Sequence, residues 1–463
     1  MSKKTLIIII GVITLIIFAV LIYAFLSKPT VNPDGTSTGT NFLSTIFPFG
    51  KSTTQTPEPT TGTDVSGFES EPITTQAPEI RLLTKVSSFP IAGYGIFMKE
   101  RFVELPTVIP SPLSISPEGG EAPFPLGRAG DGLMAGKRPS PPKPTPPPTE
   151  FIPTLRYVEK ATGNIYQTFA DQIDGRKFTT TVIPSVYDAY FGNKGESVAM
   201  RYLKNDKKTI ETFIGILPKE LLGGDTTENT EISGTFLPEN VSDISKSPNN
   251  IDLFYLFNTG NNSIGITMDA MANKKTQVFS SPFTEWLSWW PNDRMITLTT
   301  KPSYNVPGYM YAIDPNKKDF NKILGGINGL TTLTSPSGKL VLYANNNLTL
   351  NVFDTTTGTS KQLGVKTLPE KCIWDNLSEA VFCAVPKNIP SGQYPDSWYQ
   401  GEVSLSDQIW RLNVINGSNL IILDPISTTG GEDVDAIKLG LDENENYLFF
   451  VNKKDSYLWK FDL

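Results

Sequence analysis

From Leu155 to its C-terminus the chain repeats one pattern. Short runs of alternating apolar and polar residues are separated by Gly, Pro, Asn and Asp. Alternation with period two marks half-buried strands, and the breaks supply turn residues. The clearest unit is 332–354, Thr-Leu-Thr-Ser-Pro-Ser-Gly-Lys-Leu-Val-Leu-Tyr-Ala-Asn-Asn-Asn-Leu-Thr-Leu-Asn-Val-Phe-Asp. One strand ends at Ser335-Pro336 and a tight turn sits at Ser337-Gly338. Strands over 340–344 and 348–353 follow. Equivalent second strands fall near Val198, Leu253, Ile296, Val341, Val381 and Leu448. Most gaps between them are roughly 40–55 residues, the period of four-stranded propeller blades. The last group, 435–461, has three strands, and residues 80–86 form a spare strand at the other end. A ring with an unpaired edge would template aggregation. The expected fold is therefore all-β, a seven-bladed β-propeller over 80–463 in which the N-terminal strand completes the C-terminal blade.

The hydropathy pattern differs before this domain. Residues 5–26 are almost purely apolar, with Lys3 and Lys4 ahead of them. Roughly 20 such residues cross a hydrocarbon core, and flanking lysines set the N-terminus inside. The run is longer than a signal-peptide core and lacks a small-residue cleavage site. Residues 1–28 thus read as a cytoplasmic stub and single transmembrane helix, an uncleaved signal-anchor in the cytoplasmic membrane with the C-terminal domain outside. Residues 29–79, rich in Thr, Ser and Pro, read as a disordered linker. A second disordered stretch, 105–150, interrupts the propeller and carries the Pro-rich segment 138–149.

Composition narrows the chemistry. There is no histidine among the 463 residues. That removes Ser-His-Asp and Cys-His catalysis and imidazole metal sites. A net charge of -7 argues against nucleic acid as a partner. Nothing in the motifs calls for a cofactor or a metal. The two cysteines, Cys372 and Cys383, flank one predicted hairpin that places them opposite each other. Opposed Cβ atoms lie roughly 4.5–5.5 Å apart, within reach of a disulfide.

The turns Ser247-Pro248-Asn249-Asn250, Ser335-Pro336-Ser337-Gly338-Lys339 and Leu441-Asp442-Glu443-Asn444 resemble the Ser-Pro-Asp-Gly-Lys turn of TolB-like and WD40-like propellers. The pieces Asp354…Thr357-Gly358 and Asn413…Asn416-Gly417 resemble the strand ends of the same proteins. Anchor, tether and cysteine hairpin together resemble membrane-anchored propellers of candidate-phylum bacteria. Peptidases with such propellers add an α/β-hydrolase domain with a Gly-x-Ser-x-Gly elbow and a His, and neither is present.

Candidate binding residues are Tyr394, Trp398 and Tyr399, in the long insertion 386–407 between the second and third strands of one blade. Aromatic residues in a Pro/Gly loop suit peptide or glycan recognition, and a loop folded onto its own aromatics is the competing reading. Trp286, Trp289 and Trp290 are expected to pack between blades. The acidic groups Glu432-Asp433-Asp435 and Asp442-Glu443-Glu445 read as solvated turn carboxylates. The expected function is a non-enzymatic binding or scaffolding module for an extracytoplasmic protein, peptide or cell-wall glycan. The alternative is a His-free, carboxylate-dependent hydrolase or lyase, which two carboxylates converging in the channel would favour.

Overall fold

The computed structural model describes residues 82–103, 147–222, 230–269 and 274–463. The expected membrane span 5–26, the linker 29–79 and most of the insertion 105–150 lie outside the described residues. Among the described residues no helix is long and apolar enough to cross a membrane.

Strands from 83 to 462 form seven four-stranded antiparallel sheets. Each is a blade, and the first strand of each lines the centre of a ring. These inner strands are Ile91–Phe102, Val186–Gly192, Val241–Lys246, Trp286–Asn292, Thr331–Thr334, Cys372–Trp374 and Ala436–Leu441. Alternation along the strands sends apolar side chains between blades, where they form seven clusters, one per neighbouring pair. The seam between blades 7 and 1 is as well filled as the rest: Phe449, Val451 and Leu458 meet Ile91, Leu155 and Tyr157. At the seam between blades 1 and 2 the inner strands come too close for a side chain. A Cβ on Gly93 would lie 2.0 Å from the Ala189 carbonyl oxygen.

Closure is made by Leu83–Lys85, which pairs with Leu458–Asp462 in the register Leu83 to Phe461. Backbone N–H groups of Val86 and Asp462 extend the ladder to Leu458 and Leu82, at 2.7 and 3.2 Å. The N-terminal strand completes blade 7, as expected from the count of strands. In blade 1 the outer strand is only Arg176–Lys177. Phe178 leaves the sheet to lie under the Arg156 guanidinium, 3.9 Å from ring centre to Cζ.

The recurring turns have a shared cause. In each, a Ser or Asp side chain accepts a hydrogen bond from the backbone N–H five residues on. The pairs are Ser247 with Asp252, Ser335 with Leu340, Asp375 with Ala380 and Asp442 with Tyr447. The fourth residue of each turn, Asn250, Gly338, Ser378 or Glu445, has positive φ. Such side chains satisfy backbone donors that the turn leaves free. The turns also interlock around the ring: Ser337 N–H donates to Ser378 Oγ at 3.1 Å, and Asn376 N–H to Glu445 Oε1 at 2.8 Å. We call this side of the ring the turn face, and the opposite side, where loops enter the inner strands, the entry face.

Cys372 and Cys383 are paired directly across the first two strands of blade 6 and form a disulfide, with Cα atoms 4.1 Å apart.

A chain that begins at Ile91 should lose its single cooperative thermal transition or aggregate through the freed edge of Leu458–Asp462. Calorimetry and light scattering check this; melting identical to that of the full domain would show closure by other means.

Candidate functional site

The inner strands enclose a channel with a cavity of about 850 Å³. Every blade contributes to its wall, and Tyr94, Tyr190, Asp243, Trp289, Glu370 and Lys438 supply its chemistry. The size is that of an ordinary small-ligand cleft.

Two carboxyls face this cavity from strands far apart in the chain. Asp243 lies in the inner strand of blade 3, and its Oδ2 accepts bonds from Ser288 N–H and Oγ–H at 2.5 and 2.8 Å. Glu370 lies in the turn Pro369–Lys371 that enters blade 6, and it accepts a bond from the Tyr399 hydroxyl. Burial pushes the Asp243 carboxyl up to about 6, against the pull of its Ser288 bonds. Burial likewise pushes Glu370 up to about 7, and the negative charge of Asp243 adds to the effect. Loss of hydration disfavours the charged form, and a like charge across a cavity does the same. Both carboxyls of the cavity are therefore held above the usual carboxylate range.

Beside them Asp188 behaves oppositely. Burial works to raise it, but Lys438 at 2.6 Å and Arg201 at 3.2 Å outweigh burial and hold it below the usual carboxylate range. Tyr190 donates its hydroxyl to the same carboxylate at 2.8 Å. Asp188 is thus a fixed anion that orients its neighbours.

The tryptophans of blade 4 divide by strand parity. Trp286 and Trp290 are buried in the seam with blade 3, as expected. Trp289 points the other way and is not packed between blades: it lines the cavity and is 38 % exposed. Its indole N–H donates to the Thr334 carbonyl at 3.0 Å, so what it offers a ligand is the ring face.

The insertion of blade 6 folds inward. Tyr394 and Trp398 are both 4 % exposed and pack with Leu348, Leu368 and Leu405; Tyr399 is 37 % exposed. The short helix Asp396–Tyr399 reaches across the entry face, where Asp396 accepts a bond from Tyr304 N–H of blade 4 at 2.6 Å. Trp398 donates its indole N–H to Asp435 at 3.0 Å, under the ammonium of Lys453, 4.1 Å above the ring. Of the three candidate aromatics, only Tyr399 is open to a ligand without the loop unfolding. Trp398 touches the cavity wall, and its ring is otherwise spent on packing.

Asp435 and Asp442 are not solvated turn carboxylates. They are 0 % and 1 % exposed, the first beside Lys371 and the second capping its turn. Among the described residues no group of three or more His, Cys, Asp or Glu is placed to hold a metal ion. Sequence reading did not single out Asp243, Glu370 and Lys438. Their one linear signal is position, at or near the start of inner strands.

No protein-family model matches the chain, and no curated protein matches its sequence. Similar solved structures include oligogalacturonate lyase from Vibrio parahaemolyticus, at 8 % identity and a TM-score of 0.45, over 67 % of this chain and 85 % of that one. TolB from Acinetobacter baumannii is similar at 12 % identity and a TM-score of 0.37, over 56 % of this chain and 59 % of that one. Likenesses this distant carry no functional weight; the fold rests on the seven sheets themselves.

Two outcomes follow from this geometry. Because Asp243 and Glu370 take up protons more readily folded than unfolded, they oppose stability as pH rises from about 4 to about 7. The melting temperature of Asp243→Asn, Glu370→Gln relative to the native chain should therefore increase across that window; a pH-independent difference would sink the assignment. Trp398→Ala should cost roughly 3–5 kcal/mol, because it opens a cavity and removes one of the buried donors to Asp435. Denaturant titration checks this, and an unchanged midpoint would show that the loop is dispensable to the fold.

Proposed function

We propose that this protein is an extracytoplasmic binding module, held to the cytoplasmic membrane by residues 5–26, whose ligand enters the central channel. The ligand is a segment of wall glycan or of an extended peptide. What carries the reading is the exposed ring face of Trp289 inside a cavity that also presents Asp243, Glu370 and Lys438. An aromatic face stacks on sugar rings or planar peptide groups, and convergent polar groups fix orientation. From the blade 6 loop, Trp398 forms part of the wall and the more exposed Tyr399 holds Glu370.

A second reading, a carboxylate-dependent hydrolase or lyase, is favoured by one observation. Asp243 and Glu370 are both pushed above the usual carboxylate range and face the same cavity, and a pair of such carboxyls is what acid–base chemistry without histidine requires.

Titration of the propeller with soluble wall-glycan fragments and with peptides, followed by tryptophan fluorescence, tests the binding reading. Trp289→Ala should weaken binding at least tenfold, about 1.4 kcal/mol, with the fold intact by circular dichroism. Equal affinity of the variant would place the ligand elsewhere. Product release that stops in Glu370→Gln while binding persists would decide for the enzyme.

A further inference from the structure

Beside the channel, at the foot of the blade 6 loop, lies a lysine with no route to water. Lys371 and its two carboxylate partners, Asp407 and Asp435, all have side chains 0 % exposed. Lys371 Nζ stands 2.8 Å from Asp407 Oδ2 and also bonds Asp435 Oδ1. Three ionisable groups in a dry site are costly. Each loses hydration that pairing only partly returns.

The two aspartates are not equivalent. Asp435 has both oxygens occupied: Trp398 donates its indole N–H, Leu405 its backbone N–H at 3.0 Å, and Lys371 its ammonium. Asp407 Oδ2 accepts from Ala436 N–H at 2.7 Å and from Lys371, while Oδ1 is buried with no hydrogen-bond partner. An unpaired carboxylate oxygen in the interior calls for an explanation.

We propose that Lys371 condenses with Asp407 to form an intramolecular isopeptide bond, with Asp435 as the proton acceptor. Lys371 gives one ammonium proton to Asp435, and the freed nitrogen attacks Cγ of the protonated Asp407. The adduct nitrogen loses a second proton. Oδ1 leaves as water, carrying its own proton and that one. One C–N bond forms, one C–O bond breaks, Asp435 keeps the first proton, and nothing is oxidised or reduced. Burial pushes the Asp407 carboxyl up, which favours the protonated electrophile. The dry site weakens the preference for separated charges and excludes the water that would reverse the step. The product resolves the orphaned atom. Oδ1 departs, Oδ2 becomes an amide carbonyl that keeps the Ala436 N–H, and the amide N–H faces Asp435.

The linkage would join the turn entering blade 6 to the start of that blade's third strand, Asp407–Asn413, next to the disulfide. It is independent of what the channel binds.

Tandem mass spectrometry of a reduced digest of the full chain tests it. The expected result is a branched peptide joining Lys371 to Asp407, lighter than its two parts by one water. Asp435→Asn should give the two peptides separately at full mass, and Asp407→Ala should abolish the branch. Separate full-mass peptides from the folded native chain would overturn the proposal. So would a branch to Asp435, water loss confined to the Asp407 peptide, or an undiminished branch in Asp435→Asn.

Discussion

Three residues of backbone pairing hold the ring shut. Leu83–Lys85 supplies the partner that Leu458–Asp462 would otherwise lack, and the inner strands can face one another across a channel only while the circle is complete. A four-stranded blade alone has two edges and one apolar face too many. The seven interblade clusters resolve the faces, and the N-terminal strand resolves the last edge. The cavity exists because seven inner strands are too many to meet at the axis.

That enclosure governs the electrostatics. The same ring that keeps Asp243 and Glu370 short of water leaves Asp188 ionised, because Lys438 and Arg201 accompany it. The sign of each shift depends on whether a cation is in direct contact with the carboxyl, as Lys438 and Arg201 are with Asp188, not on depth alone. The blade 6 loop follows a related logic. Its helix is held by Trp398 on Asp435, Tyr399 on Glu370 and Asp396 on Tyr304 N–H. These anchors spread the cost of ordering a long loop over blades 4, 6 and 7.

Much of the architecture was legible in the chain. Period-two alternation and the Ser-Pro turns located the blades. The shortage of one strand at the end and the surplus of one at the start located the closure, and cysteine spacing located the disulfide. These are local signals or simple counts. The site was less legible. Asp243 and Glu370 are 127 positions apart in numbering and meet only through the curvature of the ring. Strand parity sets Trp289 apart from Trp286 and Trp290, but it says nothing of what a face meets, so packing between blades was expected for all three and the lumen for none. Trp398 and Tyr394 lie in a Pro/Gly loop with no period to reveal an inward side. Asp435 reads as one of several surface acids until Lys371 is brought to it from 64 residues away.

The closing strand also sets how the domain answers force. The chain that precedes Leu82 enters the ring at the strand that completes it, so tension on that side is borne first by the seam between Leu83–Lys85 and Leu458–Asp462. A pull along the strands loads these backbone bonds together in shear; a pull across them opens the bonds in turn from Leu82. The disulfide, in blade 6, lies off this load path. The strand that completes the ring is therefore also the one a pull from that side loads, and the direction of pull decides whether its bonds share the load or meet it one at a time.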